Sequence, residues 1–450
     1  MSVFLVRGRL PHVLAWSLGL LLLLWFWPHT SGLRYSLIVL LLGGALSVSS
    51  GVRWQVWEVL QSGPVRVLWG LSAWLVIQAL FWAWFPTETW QELQGQWLKS
   101  IVILITGVAI ATALNLHHRR HYLALQVVYL SLTLVLLLQL GGYAVTWITT
   151  GQSPLSTVGL FGFKTEISYL ANILFGITLA EGFARLLQTR PTLNVPLAGL
   201  WLSGLVAVAV TVCSGARNGM IGMAALFVST ALLAHFLAPR AARQQSGLLR
   251  YWPALALIAV VAVGIASWKL DSRWQRLSET VPIAMHTADH PSWLDPTRYP
   301  WPTLKDGQTV EISAYERIAF LTEGLRASAD LPWGLGFTRK AFSHAMEARF
   351  GLPSRHAHSG MVEWLLAMGW VGMLAWMVFL MWILKRALAH FFRERSALGL
   401  VVAFMISGFA SRMLIENITR DLTLELFMLL TGILLATLHK EAQHSLSGLR

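Results

Sequence analysis

The chain is short of charge and almost without cysteine. Of its 450 residues only 12% are charged, while 56% are hydrophobic. A soluble domain carries about a quarter charged residues, so this shortage excludes a soluble globular fold and marks a polytopic membrane protein. The single cysteine, Cys213, excludes an intramolecular disulfide and any multi-cysteine metal site. It reads as a small apolar core residue. No Asp-x-Asp pair and no His-Glu-x-x-His occurs, so the familiar divalent-cation motifs are missing. Charge is also scarce in the middle of the apolar runs: Glu181, Glu363 and Glu425 fall near run ends. An ion-coupled transporter is expected to hold ionisable groups at mid-membrane, where each costs about 2.5–3.5 kcal/mol. Solenoid-period repeats and low-complexity tracts are absent as well.

What is abundant is tryptophan and long apolar runs. Twenty-three Trp residues suit two interfacial belts. Runs long enough to cross about 30 Å of hydrocarbon lie near residues 10–27, 34–50, 66–85, 98–115, 122–142 and 167–184. Six more lie near 195–213, 218–238, 250–268, 359–384, 396–413 and 421–438. The expectation is an all-α polytopic membrane protein of about twelve transmembrane helices, because these runs lack the alternation of barrel strands. The N-terminal "RGRLPHVLAWSLGLLLLLWFWPH" resembles a signal peptide, but no small-residue cleavage site follows it, so a retained first span is expected.

Basic residues set the expected orientation. Seventeen Lys and Arg fall on alternate connections and at both ends, against six on the short connections opposite: Arg34, Lys99, Lys164, Arg217, Arg412 and Arg420. Both termini are therefore expected in the cytoplasm. The formal charge of +13 then fits orientation and anionic lipid, not nucleic acid. Eleven further basic residues lie in one segment, 269–358, expected on the external side.

That segment divides the chain into helices 1–9 (1–268), an external loop subdomain (269–358) and helices 10–12 with a cytoplasmic tail (359–450). A structureless connection of this length is unusual in a compact protein, so a functional subdomain is expected. "HTADHPSWLDPTRYPWPTLKDGQT" reads as loop. "VEISAYERIAFLTEGLRASADLPWGLGF" has Ile318, Leu321 and Leu325 at helical spacing. It predicts an amphipathic helix on the membrane surface or over a cavity, broken at Pro332, Gly334 and Gly336.

Short external connections usually avoid positive charge, yet Arg217 sits in "CSGARNGM", Lys164 in "GLFGFKTEISYL", and Arg412 and Arg420 flank "MLIENIT". Each alone is explained equally well by headgroup snorkelling or an ion pair. Together with Arg317 of the amphipathic helix, they favour an anionic ligand such as a diphosphate, whose oxygens suit guanidinium forks. At the end of the long segment, "PSRHAHSGMVEWLLAMGWVG" puts Arg355, His356 and His358 at the lip of an apolar run. A neutral imidazole there can accept a proton from a sugar hydroxyl. A metal site and a purely structural role are the alternatives.

From His358, "HSGMVEWLLAMGWVG" reads His-Ser, nine residues, then Gly369-x-x-Gly372. This resembles the signature of the O-antigen ligase and polymerase superfamily: His followed by Asn, Ser or Gln, nine residues, then Gly-x-x-Gly. Upstream, Arg317, Pro332, Gly334 and Gly336 resemble that family's Arg–aromatic and Pro-x-Gly-x-Gly stretch, and Arg217 resembles an arginine it places at the outer mouth between two spans. Lys164 and Arg412 align with no family motif.

The resemblance implies a GT-C-type fold in a bacterial inner membrane with its active site on the periplasmic side. It implies transfer of a glycan from undecaprenyl diphosphate to lipid A–core in lipopolysaccharide biosynthesis, with no cofactor or metal. His358 would be the general base. Arg217 and Arg317 would hold the diphosphate, with Lys164 and Arg412 as further candidates and His356 and Arg355 in support. Inversion at the anomeric carbon would follow from a single displacement. The expected partners are the lipid-linked donor, the lipid A–core acceptor and membrane lipid, with the chain a monomer. An O-antigen polymerase or a protein O-oligosaccharyltransferase shares the motif; span number and loop form favour the ligase. From another class, a lipid or polysaccharide transporter is disfavoured by the clean span centres.

Overall fold

The structure is a computed structural model that describes residues 2–116, 122–151, 160–161, 164–187, 189–237 and 272–447. It is helical, with no strand among the described residues beyond two isolated bridges. In chain order the helices are α1 (Ser2–Leu23), α2 (Ser31–Ser47), α3 (Ser50–Leu60), α4 (Gly63–Phe81), α5 (Pro86–Leu114), α6 (Leu123–Thr150), α7 (Lys164–Leu186), α8 (Leu197–Cys213) and α9 (Arg217–Leu237). They continue with α10 (Ser272–Met285), α11 (Ile312–Asp330), α12 (Ala341–Phe350), α13 (Gly360–Glu394), α14 (Ala397–Ile415) and α15 (Asp421–Ser447).

Seven of these are long and apolar enough to cross a membrane, or eight if α2 and α3, bent by 113°, form one broken span. The chain is thus a multi-pass membrane protein, with seven or eight crossings supported among the described residues. The run at 195–213 forms the 17-residue helix Leu197–Cys213, and the run at 10–27 falls in the second half of α1. The run at 34–50 ends at a sharp bend, and that at 250–268 lies outside the described residues. At the heart of the bundle α5 and α15 cross at Gly107 and Gly432, where a Cβ on either would collide with the other helix's backbone. Small residues at such a crossing let the backbones approach closely.

A second apolar core lies apart from the bundle. It joins α10, α11, α12 and the first turns of α13 through Trp293, Tyr315, Phe320, Phe342, Val362 and Leu366. The polar stretch after α10 runs as turns, with one short 3-10 turn at Pro291–Trp293. The amphipathic helix is α11, but its buried face is Tyr315, Ala319, Phe320, Gly324 and Ala327. Ile318 and Leu321 pack partly buried against this core, Leu325 is 40% exposed, and Gly324 allows close approach to Val362.

The two glycine motifs meet in space. Gly369 breaks α13 with φ 69° and ψ −178°, and the Pro332–Gly336 loop docks on the break. Leu335 and Gly336 N–H donate to the Leu366 and Ala367 carbonyls at 2.8 and 3.0 Å, and Trp370 N–H donates to Pro332 O at 2.9 Å. The Gln78 amide donates to Trp333 O and Ala367 O at 2.6 and 2.8 Å. Backbone freed by a helix break is tolerated in an apolar setting only when protein groups satisfy it, and this loop supplies them.

Candidate functional site

A polar cleft of about 340 Å³ opens where the ends of α7, α8 and α9 meet α11 and the α14–α15 connection. Lys164 and Thr165 come from the start of α7, Gly215 to Asn218 from the α8–α9 turn, Ser313 and Arg317 from α11, and Glu416 from the end of α14. Three basic residues from three distant stretches, Lys164, Arg217 and Arg317, therefore share one cavity.

Carboxylates hold the cleft's walls. Glu311 caps α11 by accepting from Ala314 N–H at 2.6 Å, and its other oxygen accepts from Arg217 Nη2 at 3.2 Å. Glu416 accepts from Asn218 Nδ2 at 2.9 Å and from Arg412 Nε at 2.7 Å. Arg412, expected among the diphosphate ligands, does not line the cleft. It is 1% exposed and spends its guanidinium on Glu416, Ser168 Oγ at 2.9 Å and Thr165 O at 3.3 Å. A buried arginine so engaged braces the wall from behind. Arg317 donates to Ile415 O at 3.3 Å, and burial holds it below its ordinary range.

His358 stands just before α13 with φ 54°, a left-handed conformation uncommon for a residue with a side chain. Its neighbours fix it there. Ala357 N–H donates to Glu363 Oε1 at 2.8 Å, and Ser359 caps α13 by accepting from Val362 N–H at 3.4 Å. The imidazole lies parallel to the Phe320 ring, centroids 6.1 Å apart, with the His356 ring at 4.1 Å. Burial pushes the His358 pKa down to about 4, helped by His356, Arg317, Arg355 and Arg420. His356 is lowered too, by burial and then by Arg420, Arg317 and Arg355. Both rings are therefore neutral at pH 7. Arg355 is exposed and 3.7 Å from Glu316, whose carboxyl burial raises against that pairing.

Arg317 connects the two halves, since it lines the cleft and also acts on both histidines. Sequence spacing did not single out Glu311, Asn218 or Glu416, whereas Arg420 stood among the basic residues of the short connections. The "IENITR" stretch offered a signal for Glu416, a carboxylate near an arginine in a short connection between apolar runs. Among the described residues no group of three or more His, Cys, Asp or Glu side chains is placed to hold a metal ion.

Residues 202–377 match the family model described as O-Antigen ligase. The match makes this stretch of the chain similar to that family. It runs from α8 past His358 and the break in α13, so it takes in Arg217, Arg317 and both glycine motifs. No curated protein matches the chain.

Proposed function

We propose that this chain, similar to the O-antigen ligase family over residues 202–377, transfers a glycan from undecaprenyl diphosphate to lipid A–core. The observation that carries this is the convergence of Lys164, Arg217 and Arg317 in one cleft, with Arg317 also acting on His358. Converging cations suit a diphosphate, and a neutral imidazole near its edge suits deprotonation of an incoming hydroxyl.

In this reading the acceptor oxygen gives its proton to His358 and attacks the anomeric carbon. The bond from that carbon to the diphosphate oxygen breaks, and the diphosphate departs with the electron pair. Arg217, Arg317 and Lys164 hold the charge that develops on it, and the anomeric configuration inverts. Arg412 keeps Glu416 and Asn218 in place behind them. His356 and Arg355 shape the field at His358. A low pKa is compatible with a base, because a bound anion beside Arg317 cancels positive field and raises it. A GT-C-type fold, a periplasmic site and an external subdomain over 269–358 belong to the same proposal.

The test is reconstitution of the purified protein with a defined lipid-linked donor and lipid A–core, with the product weighed by mass spectrometry. Glycosylated lipid A–core supports the ligase. Product on a second undecaprenyl-linked glycan or on protein assigns the chain to the polymerase or the protein transferase instead. Movement of substrate without a new bond would make it a transporter.

A further inference from the structure

A second polar cavity lies on the other face of the α14–α15 connection. Gln96, Arg339, Asn417, Thr419 and Arg420 are among the residues that line it, and it shares no lining residue with the cationic cleft. Backbone geometry explains the division. Glu416 is extended, with φ −143° and ψ 151°, and successive side chains of an extended chain point to opposite faces. Glu416 therefore serves the cleft while Asn417 serves the second cavity.

Gln96 is the residue in its wall that lacks a partner. It is 4% exposed, and its Nε2 donates to Thr419 O at 3.0 Å. No protein group among the described residues donates to its Oε1. It stands in a π-helical stretch of α5, Leu93–Leu98, a rare conformation that recurs at functional sites. The main charges nearby are already matched, since Arg339 pairs with Glu92 and with Asp421, each at 2.7 Å. The cavity therefore suits a neutral group that can donate to Oε1, as a sugar hydroxyl can. Its enclosed space of about 20 Å³ takes a single hydroxyl or a single water.

The cavity is also tied to the histidine. Thr419 packs on Gly360, two residues from His358, so closely that a Cβ there would meet its side chain at 2.7 Å. Arg420 of this cavity and Arg317 of the cleft both act on the His358 imidazole. In the displacement proposed above, the acceptor oxygen attacks from the side opposite the departing diphosphate. A base influenced from two separate cavities suits two separate substrates. We infer that the second cavity seats a non-reacting hydroxyl of the acceptor's sugar, which donates to Gln96 Oε1 while the ring stands at the mouth beside Arg339 and Arg420. The inference rests on the transferase reading above and deepens it. A trapped water is the rival occupant.

The full chain in nanodiscs is assayed with the lipid-linked donor and lipid A–core, and undecaprenyl diphosphate is titrated separately. Gln96→Met keeps the length of the side chain and removes its amide. It should raise the acceptor KM by about three- to tenfold, the worth of one hydrogen bond, and leave kcat and the diphosphate Kd within about twofold. Asn417→Ala, at a half-buried position outside the helices, should raise the acceptor KM in the same direction. In a series of monodeoxy acceptors, one member should lose that factor with wild type and lose nothing further with Gln96→Met. An acceptor KM unchanged in both variants, a parallel loss of diphosphate affinity, or equal losses on every deoxy acceptor gives the cavity to a water and overturns the inference, while the cleft reading stands. A wild type that transfers glycan to no acceptor overturns both.

Discussion

The backbone N–H of Gly360 donates to the carbonyl oxygen of Glu416 at 2.9 Å. That bond ties the first turn of α13, two residues from His358, to the residue whose carboxylate holds Asn218 and Arg412. Glu416 is thus a positioning residue shared by the cleft and the histidine. Replacing it with alanine leaves Arg412 buried without its carboxylate, a change that costs about 3–5 kcal/mol. Glu416→Ala should lower the unfolding midpoint sharply and abolish transfer. Glu416→Gln, which keeps the shape and a hydrogen bond, should recover much of the stability and part of the activity. Thermal unfolding in detergent beside a transfer assay checks this, and a stable, fully active Glu416→Ala would refute it.

His358 is expected to matter for chemistry and little for donor binding. General-base catalysis contributes about 10²- to 10⁴-fold, so His358→Ala should cut transfer by that range while diphosphate affinity changes less than about threefold. His358→Asn separates the ring from the backbone, because asparagine tolerates the left-handed conformation found there. It should fold as well as wild type and remain as inactive as the alanine variant. His356→Ala should keep most activity. Wild-type transfer by His358→Asn would end the assignment.

The field at His358 gives the pH dependence a sign. A base must be unprotonated, and burial first, then the positive neighbours, push the His358 pKa down to about 4. The acid limb of kcat/KM, which reports the free enzyme, should therefore fall well below the ordinary histidine value of about 6.5. Positive neighbours disfavour the imidazolium, so Arg317→Ala should move the limb upward as well as weaken donor binding. A limb near 6.5 that ignores Arg317 would exclude His358 as the group observed.

Much of the helical layout was readable from apolar runs, because burial in lipid leaves a long unbroken signal in the sequence. The site was only half readable. Arg217, Arg317 and His358 could be picked out by motif, but nothing in spacing brings Lys164 beside Arg317 across some 150 residues. Glu311 and Glu416 escaped notice because a carboxylate near a span end looks the same whether it faces solvent or clasps an arginine. The face of α11 was partly readable: Ile318 and Leu321 do pack against the second core, but Gly324 packs by being small, and hydrophobic periodicity weights large side chains. The glycines of the two motifs were visible, yet their purpose was not until Gly334 and Gly369 were seen in contact.

That contact makes a strong prediction. Gly334 and Gly369 both hold positive φ, at 76° and 69°. A Cβ on Gly334 would sit 2.5 Å from Ala367 O and Gly369 N, and one on Gly369 would press on the backbone of Pro332 and Trp333. Neither neighbour is a flexible side chain that could yield. Gly334→Ala or Gly369→Ala should each destabilise by more than about 2 kcal/mol, since steric clash adds to the conformational penalty. Gly182→Ala, in open space, is the control and should be near neutral. Size-exclusion profiles and unfolding midpoints distinguish them, and equal stability of all three would show that the loop does not lock the break.

Arg217 and Glu311 carry the last prediction. Their 3.2 Å pairing sets a carboxylate where a diphosphate oxygen would compete for the same guanidinium. Arg217→Lys keeps the charge but loses the planar fork, so it should restore little binding over Arg217→Ala if the contact is bidentate. Glu311→Gln acts in the opposite sense. It removes the competing charge while leaving an amide oxygen able to accept from Ala314 N–H, so diphosphate affinity should rise by about three- to tenfold, with some loss at the helix cap. Isothermal titration with undecaprenyl diphosphate measures both. Weaker binding by a well-folded Glu311→Gln would mean that Glu311 orients Arg217 for the anion instead of competing with it.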